Sequence, residues 1–170
     1  VNQMIGSATQ PHVLYSAASD GTCAMWDTRA CRQSGFSNTP AQVFRLDGRG
    51  GEEAFCVCES GDGNTLAVGT NCKVALFDVR AGKLWRAFDE SFSEDVTQVK
   101  FSPTGGGEAS RSGSFLITAG ADGLISCFET AAPDEDDAFQ AVINVGQPIV
   151  EIGFAGSNSG TLVQTGVLRL

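Results

Sequence analysis

Three segments of the chain repeat one another at a fixed step, and that step limits the fold more than any other feature. LYSAASDGTCAMWDTR (Leu14 to Arg29), LAVGTNCKVALFDVR (Leu66 to Arg80) and LITAGADGLISCFET (Leu116 to Thr130) align with one another. The acidic residues near their ends, Asp27, Asp78 and Glu129, stand 51 residues apart (78 − 27 and 129 − 78), and the turn residues Asp20, Asn71 and Asp122 keep the same interval. A period of this size marks a stacked array of one small supersecondary unit. Each segment is an apolar run, a polar turn (Asp20-Gly21, Asn71-Cys72 or Asp122-Gly123) and a second apolar run ending in the aromatic Trp26, Phe77 or Phe128. Such a pattern predicts two antiparallel strands joined tightly.

Another strand precedes each hairpin, recognisable by alternation: Met4 with Gly6, Cys56 with Cys58, Val99 with Phe101, and Ile152 with Phe154. Side chains two apart share one face of a strand. A further apolar run follows each hairpin: AQVFRL from Ala41, KLWRAF from Lys83 and AFQAVI from Ala138. The chain is therefore expected to be all-β, in units of four short antiparallel strands, the sequence signature of a propeller blade. The expected units are about 1–47, 48–93 and 94–145, with an incomplete one at 146–170. A blade cannot cover both its faces alone, so stability must come from stacked neighbours. Three blades and part of a fourth make an incomplete ring. Pairing of two such arcs would be one way to close it.

Acidic residues outnumber basic ones 20 to 11, a net charge of −9. The averaged field repels phosphate backbones and anionic membrane surfaces, so neither nucleic acid nor membrane is an expected partner. At 42% hydrophobic residues the chain has enough apolar material to fold. Its 21 glycines imply many turns. No apolar run is long enough to span a bilayer and no signal-peptide pattern is visible, although the chain does not begin with Met. Six cysteines (Cys23, Cys31, Cys56, Cys58, Cys72, Cys127) include no CxxC pair, and several lie within apolar runs. Buried free thiols in a reducing, intracellular compartment, cytoplasmic or nuclear, fit this usage better than disulfides.

At WDTR (Trp26 to Arg29) and FDVRAGK (Phe77 to Lys83) the chain resembles the WD-repeat family, whose third blade strand ends in a WD dipeptide, and FSPTGG from Phe101 resembles that family's first-strand ending. ITAGADGLISCFET, followed by DEDDAF and INVGQPIVEIGF, is similar to the subfamily of WD-repeat-containing protein 89. The resemblance covers essentially the whole chain. It implies a propeller of about seven blades acting as a binding platform, with Asp20, Trp26, Asp27, Asn71, Phe77, Asp78, Asp122, Phe128 and Glu129 as structural repeat positions. It also implies remaining blades of the same propeller, and a WD-like pair would be expected next after Leu170. The chain departs from the family in lacking the Gly-His dipeptide before each first strand, and Phe replaces Trp at Phe77 and Phe128. Losing an indole N–H together with its histidine avoids an unpaired donor. The blades are thus expected to be held more by packing than by a buried polar network, with the turn Asp and Asn residues keeping local Asx-type roles.

No catalytic or metal-binding set emerges. His12 beside a thiol such as Cys23 lacks a third orienting group. One histidine without CxxC gives no zinc tetrahedron. The glycine clusters at Gly50-Gly51 and Gly105 to Gly107 precede neither a Lys-Ser/Thr pair nor a helix, so they read as loops. The run Asp134 to Asp137 lacks the alternating ligands of a calcium loop and reads as a solvated, self-repelling segment. No cofactor is expected. Residues 104–114 and 130–137 are expected side by side on one face of the disc. The inter-blade links on the other face carry Glu52, Glu53, Asp89, Glu90, Glu94 and Asp95, an acidic rim suited to a basic segment of a partner protein; acidity for solubility alone is the plainer alternative. The expected function is a non-catalytic scaffold for protein–protein interaction. The alternative is a propeller enzyme whose catalytic residues lie in other blades.

Overall fold

A computed structural model of the chain describes residues 1–30, 39–46, 51–102, 115–155 and 162–166. Strands β1 (Gln3–Gly6), β2 (Val13–Ala17), β3 (Thr22–Asp27) and β4 (Gln42–Arg45) form one sheet in sequence order, all antiparallel. β5 (Ala54–Glu59), β6 (Thr65–Thr70), β7 (Lys73–Asp78) and β8 (Lys83–Phe88) form the second sheet in the same way. The third holds β9 (Val96–Phe101), β10 (Phe115–Gly120), β11 (Leu124–Glu129) and β12 (Phe139–Asn144), with a short helix α1 (Glu135–Ala138) before β12. β13 (Glu151–Ala155) pairs with β14 (Leu162–Gly166). Each first strand packs beside the next sheet's first strand, β1 by β5, β5 by β9 and β9 by β13, so these line the inner side of an arc. β4, β8 and β12 lie outermost.

Strand alternation builds the core between sheets rather than within them. On β7, Ala75 and Phe77 enter the cluster shared with the first sheet, while Val74 and Leu76 enter the cluster shared with the third. β5 divides likewise: Val57 goes one way, Cys56 and Cys58 the other. On β10, Leu116 faces the second sheet, and Ile117 and Ala119 join Ile149 and Ile152 on the far side. A strand sandwiched between two sheets must therefore be apolar on both faces, which is why LAVGT on β6 is buried at every residue from Leu66 to Thr70. On the outermost strands burial falls off: β4 buries Phe44 and β8 buries Phe88, while all six residues of β12 are exposed.

The turns follow from backbone sterics. Gly21 and Gly123 sit at φ 74° and 79°, and Cys72 occupies the equivalent position in the second hairpin at φ 58°. Glycine adopts this left-handed conformation without a Cβ penalty. Cys72 is exposed there, which corrects the expectation of buried thiols at that residue; Cys23 and Cys56 are fully buried, and Cys58 and Cys127 partly. All five are free, and Cys31 lies outside the described residues.

Candidate interaction surface

The repeat aromatics plug the spaces between sheets. Phe77 meets Phe44 of the first sheet edge-on, with centroids 5.6 Å apart. Phe128 stacks on Phe88 of the second sheet at 4.9 Å and also contacts Phe92 and Phe139. Trp26, half-buried, donates its indole N–H to Ser16 at 2.9 Å, two residues along β2 from its cross-strand neighbour Leu14. The corresponding residue in the second hairpin is Val68, so the donor of Trp26 and the acceptor of Ser16 are both absent there. In the third it is Thr118, whose hydroxyl turns to the Ser126 carbonyl at 3.4 Å. Asp27 accepts from the Arg29 guanidinium and backbone N–H, which pull its carboxyl down to about 2. Asp78 accepts from the Ala81 N–H. Glu129 ends β11, and its carbonyl accepts from the Ala132 N–H.

The turn residues split in their roles. Asp20 accepts from the hydroxyl and N–H of Thr22, and these bonds lower its pKa. Asp122 accepts from the Leu124 N–H and, through its other oxygen, from the Ser93 hydroxyl at 3.4 Å. Both keep the expected local turn. Asn71 departs from that expectation: its Oδ1 accepts from the Glu53 N–H at 2.8 Å and its Nδ2 donates to Asp95 Oδ1 at 3.1 Å. With Cys72 already supplying the turn, the Asn71 side chain is free to tie the links on both sides of the second sheet.

Around this tie the rim residues fall into two groups. Glu52 pairs with Lys73 through Oε1, both side chains being largely buried, while Oε2 is buried without a partner among the described residues. Glu53 and Asp95 are half-buried at Asn71. Asp89, Glu90 and Glu94 are exposed. The link that carries them is fixed from an unforeseen direction. Glu135, at the start of α1, accepts from the backbone N–H groups of Asp89, Glu90 and Ser91 at 2.9, 3.3 and 2.9 Å. Asp134 caps that helix by accepting from the Asp137 N–H, and Arg86 donates to the carbonyls of Thr130 and Pro133. The run Asp134 to Asp137 is thus no freely solvated loop: one of its carboxylates is a backbone clamp. Nor are residues 130–137 and 89–91 held on opposite faces, since both reach the outer edge between β8 and β12, where strand twist brings the ends of neighbouring sheets together. The expected pairing of 130–137 with 104–114 falls outside the described residues.

A second polar centre adds to the packing expected to dominate between the blades. Glu59, 7% exposed at the end of β5, accepts from Ser7 Oγ at 2.7 Å, Ala8 N at 2.8 Å, Thr9 Oγ1 at 3.2 Å and Tyr15 OH at 3.2 Å, all from the first sheet and its loops. Burial and the nearby Glu59 carboxylate push the Tyr15 phenol above its ordinary range, so it remains a donor. Nothing in the repeat pattern marks Glu59; its signal is a lone acid closing the apolar run AFCVCE.

His12 is exposed, and its carbonyl accepts from Thr28. Burial pushes the Cys23 and Cys56 thiols up to about 12, leaving almost no thiolate at neutral pH. Brief treatment of the folded protein with a maleimide at pH 7.5 should accordingly modify Cys72 and spare Cys23 and Cys56 until denaturant is added. Peptide mass mapping checks this; equal labelling of Cys56 and Cys72 would contradict the packing. Among the described residues no group of His, Cys, Asp or Glu is placed to hold a metal ion, and no helix is long and apolar enough to cross a membrane.

Three antiparallel meander sheets around an inner rank of first strands, with an aromatic–acidic pair or its variant closing each third strand, define a WD-repeat β-propeller, present here as an open arc. Curated relatives bear the same name. The chain is 40% identical over 152 residues to WD repeat-containing protein GTS1 of Arabidopsis thaliana, covering 88% of this chain and 35% of that protein. It is 33% identical over 146 residues to a WD repeat-containing protein 89 homolog of Dictyostelium discoideum, covering 86% of this chain and 35% of that protein. The chain thus spans about a third of the length of these relatives. No protein-family model matches it.

Proposed function

We propose that the chain is part of a non-catalytic interaction platform whose acidic rim receives a basic segment of a partner protein. The carrying observation is the pinned link between β8 and β9: Glu135 and Asn71 hold its two ends, leaving Asp89, Glu90 and Glu94 exposed between them. A charged loop fixed before binding loses little conformational freedom when a partner arrives, so its charge goes into recognition. On this reading residues 1–47, 48–93, 94–145 and 146–170 serve as successive blades, and further blades of the same protein complete the ring. WD-repeat proteins typically bind other proteins, and the acidic balance disfavours nucleic acid and membrane surfaces as partners. The free thiols fit work inside the cell, in cytoplasm or nucleus.

The test uses the exposed residues, because Glu52 and Asp95 are engaged in the fold. The variant Asp89→Lys/Glu90→Lys/Glu94→Lys should melt like the parent yet lose about tenfold or more of its basic-segment partners in quantitative affinity purification from the native cell. Unchanged recovery would show the rim to be acidic for solubility only.

A further inference from the structure

The outer edge between the first and second sheets holds a surface of opposite sign. β4 and β8 are the outermost strands of their sheets, and between them lies a groove of about 350 Å³ lined by Val43, Arg45, Gly82, Lys83 and Leu84. Gly82, at φ 65°, brings the start of β8 against Gln42, where a Cβ would collide with the amide.

Among the described residues no strand pairs with the outer edge of β4. The Ala18 N–H donates to the Thr22 carbonyl, while the carbonyls of Gly21 and Met25 accept from Leu46 and Ala41. Alternation along β3 therefore directs the peptide groups of Thr22 and Ala24 to β2 and those of Cys23 and Met25 to β4. Phe44, opposite Cys23, spends its amide and carbonyl on β3, and Val43 and Arg45 turn theirs to the open edge. Such an edge accepts another strand unless something covers it.

Charge selects what fits. Arg45 and Lys83 form no ion pair among the described residues, although carboxylates lie near. Asp78 is opposite Lys83 but accepts from Ala81, and Asp20 and Glu52, beside Arg45, are taken by Thr22 and Lys73. The groove itself is lined by two cations, Arg45 and Lys83, over an apolar strip of Val43 and Leu84, and by no carboxylate, so the charge presented directly to an occupant is positive although Asp20, Glu52 and Asp78 stand behind it. We propose that this groove docks an acidic, extended segment of a partner protein, which adds as a strand along the free edge of β4. Strand addition takes affinity from main-chain hydrogen bonds and specificity from alternate side chains, here carboxylates toward Arg45 and Lys83. The proposal is independent of the acidic rim, which would attract a partner of the other sign.

A fluorescein-labelled peptide of about ten residues alternating Glu and Val, long enough to span a strand of ordinary length, serves as the probe in fluorescence anisotropy with the intact protein at low salt. Saturable binding is expected, about tenfold or more weaker for Arg45→Glu/Lys83→Glu and unchanged for Asp89→Lys/Glu90→Lys/Glu94→Lys. The peptide should slow amide exchange at Val43 and Arg45. N-methylation of its alternate amides should abolish binding, a control that does not depend on how any protein variant folds. Absence of saturable binding to the parent protein overturns the proposal. So does undiminished binding by the doubly reversed variant or by the methylated peptide, or unaltered exchange at both amides.

Discussion

Replacing Glu59 by Ala should cost the folded chain about 2–3 kcal/mol, a large single effect outside the aromatic core, because it removes a buried carboxylate that accepts from four donors, the buried Tyr15 hydroxyl among them. The buried Tyr15 OH would remain desolvated with nothing to replace the carboxylate. Glu59→Gln keeps the shape but turns one end into a donor facing donors, and should cost about 1–3 kcal/mol. Tyr15→Phe removes only one of the partners and should cost about 1 kcal/mol. By contrast Glu94→Gln, on an exposed rim position, should stay within about 0.5 kcal/mol of the parent. Urea unfolding followed by tryptophan fluorescence gives these differences. If Glu59→Ala lost less than about 1 kcal/mol, water must reach and satisfy the donors, and the contact would not be a structural tie between the first and second sheets.

Glu59 also shows where sequence reading stops. A repeat detector sees what recurs, and the recurring features here are those dictated by stacking: alternation on both faces of inner strands, a left-handed turn residue, an aromatic where one sheet meets the previous one. These placed β1 to β13 and the hairpin turns from Asp20, Asn71 and Asp122 alone. Some backbone ties between sheets recur, the Ala18 and Gly120 carbonyls accepting from the Ala54 and Ile149 N–H groups of the next sheet, but the ties made by Glu59, Asn71 and Glu135 are not announced by the repeat. Glu59 joins first to second, Asn71 joins the links flanking the second, and Glu135 joins second to third, each with a different residue at a different repeat position. Each answers a local need, a backbone N–H left bare by a link, which no periodicity announces. The acidic run around Glu135 illustrates the difficulty: four successive carboxylates resemble a solvated loop by composition, and only the position of the Asp89–Ser91 amides distinguishes the one that is spent on backbone. The rim was legible as charge but not as structure, since nothing in Glu52 or Asp95 reveals that Lys73 and Asn71 already occupy them.

Phe128 is the position where family resemblance and local packing make competing demands. Its ring is fully buried against Phe88, Phe92 and Phe139, so Phe128→Ala should cost about 3–5 kcal/mol through lost burial and a residual cavity. Phe128→Trp asks a different question. The larger indole strains a packed site, at about 1–3 kcal/mol, but it brings an N–H toward Thr118, which stands to Phe128 as Ser16 stands to Trp26. Among the described residues the Thr118 hydroxyl donates a long bond to the Ser126 carbonyl, so its oxygen can accept. In a double-mutant cycle of Phe128→Trp with Thr118→Val, the two changes should therefore be coupled by about 1 kcal/mol, Thr118→Val hurting the Trp variant more than the parent. Zero coupling would mean that the indole does not reach the hydroxyl. The third sheet would then have diverged in its strand geometry as well as in its aromatic residue, and the Phe would be a consequence of stacking against Phe88 rather than of a lost histidine.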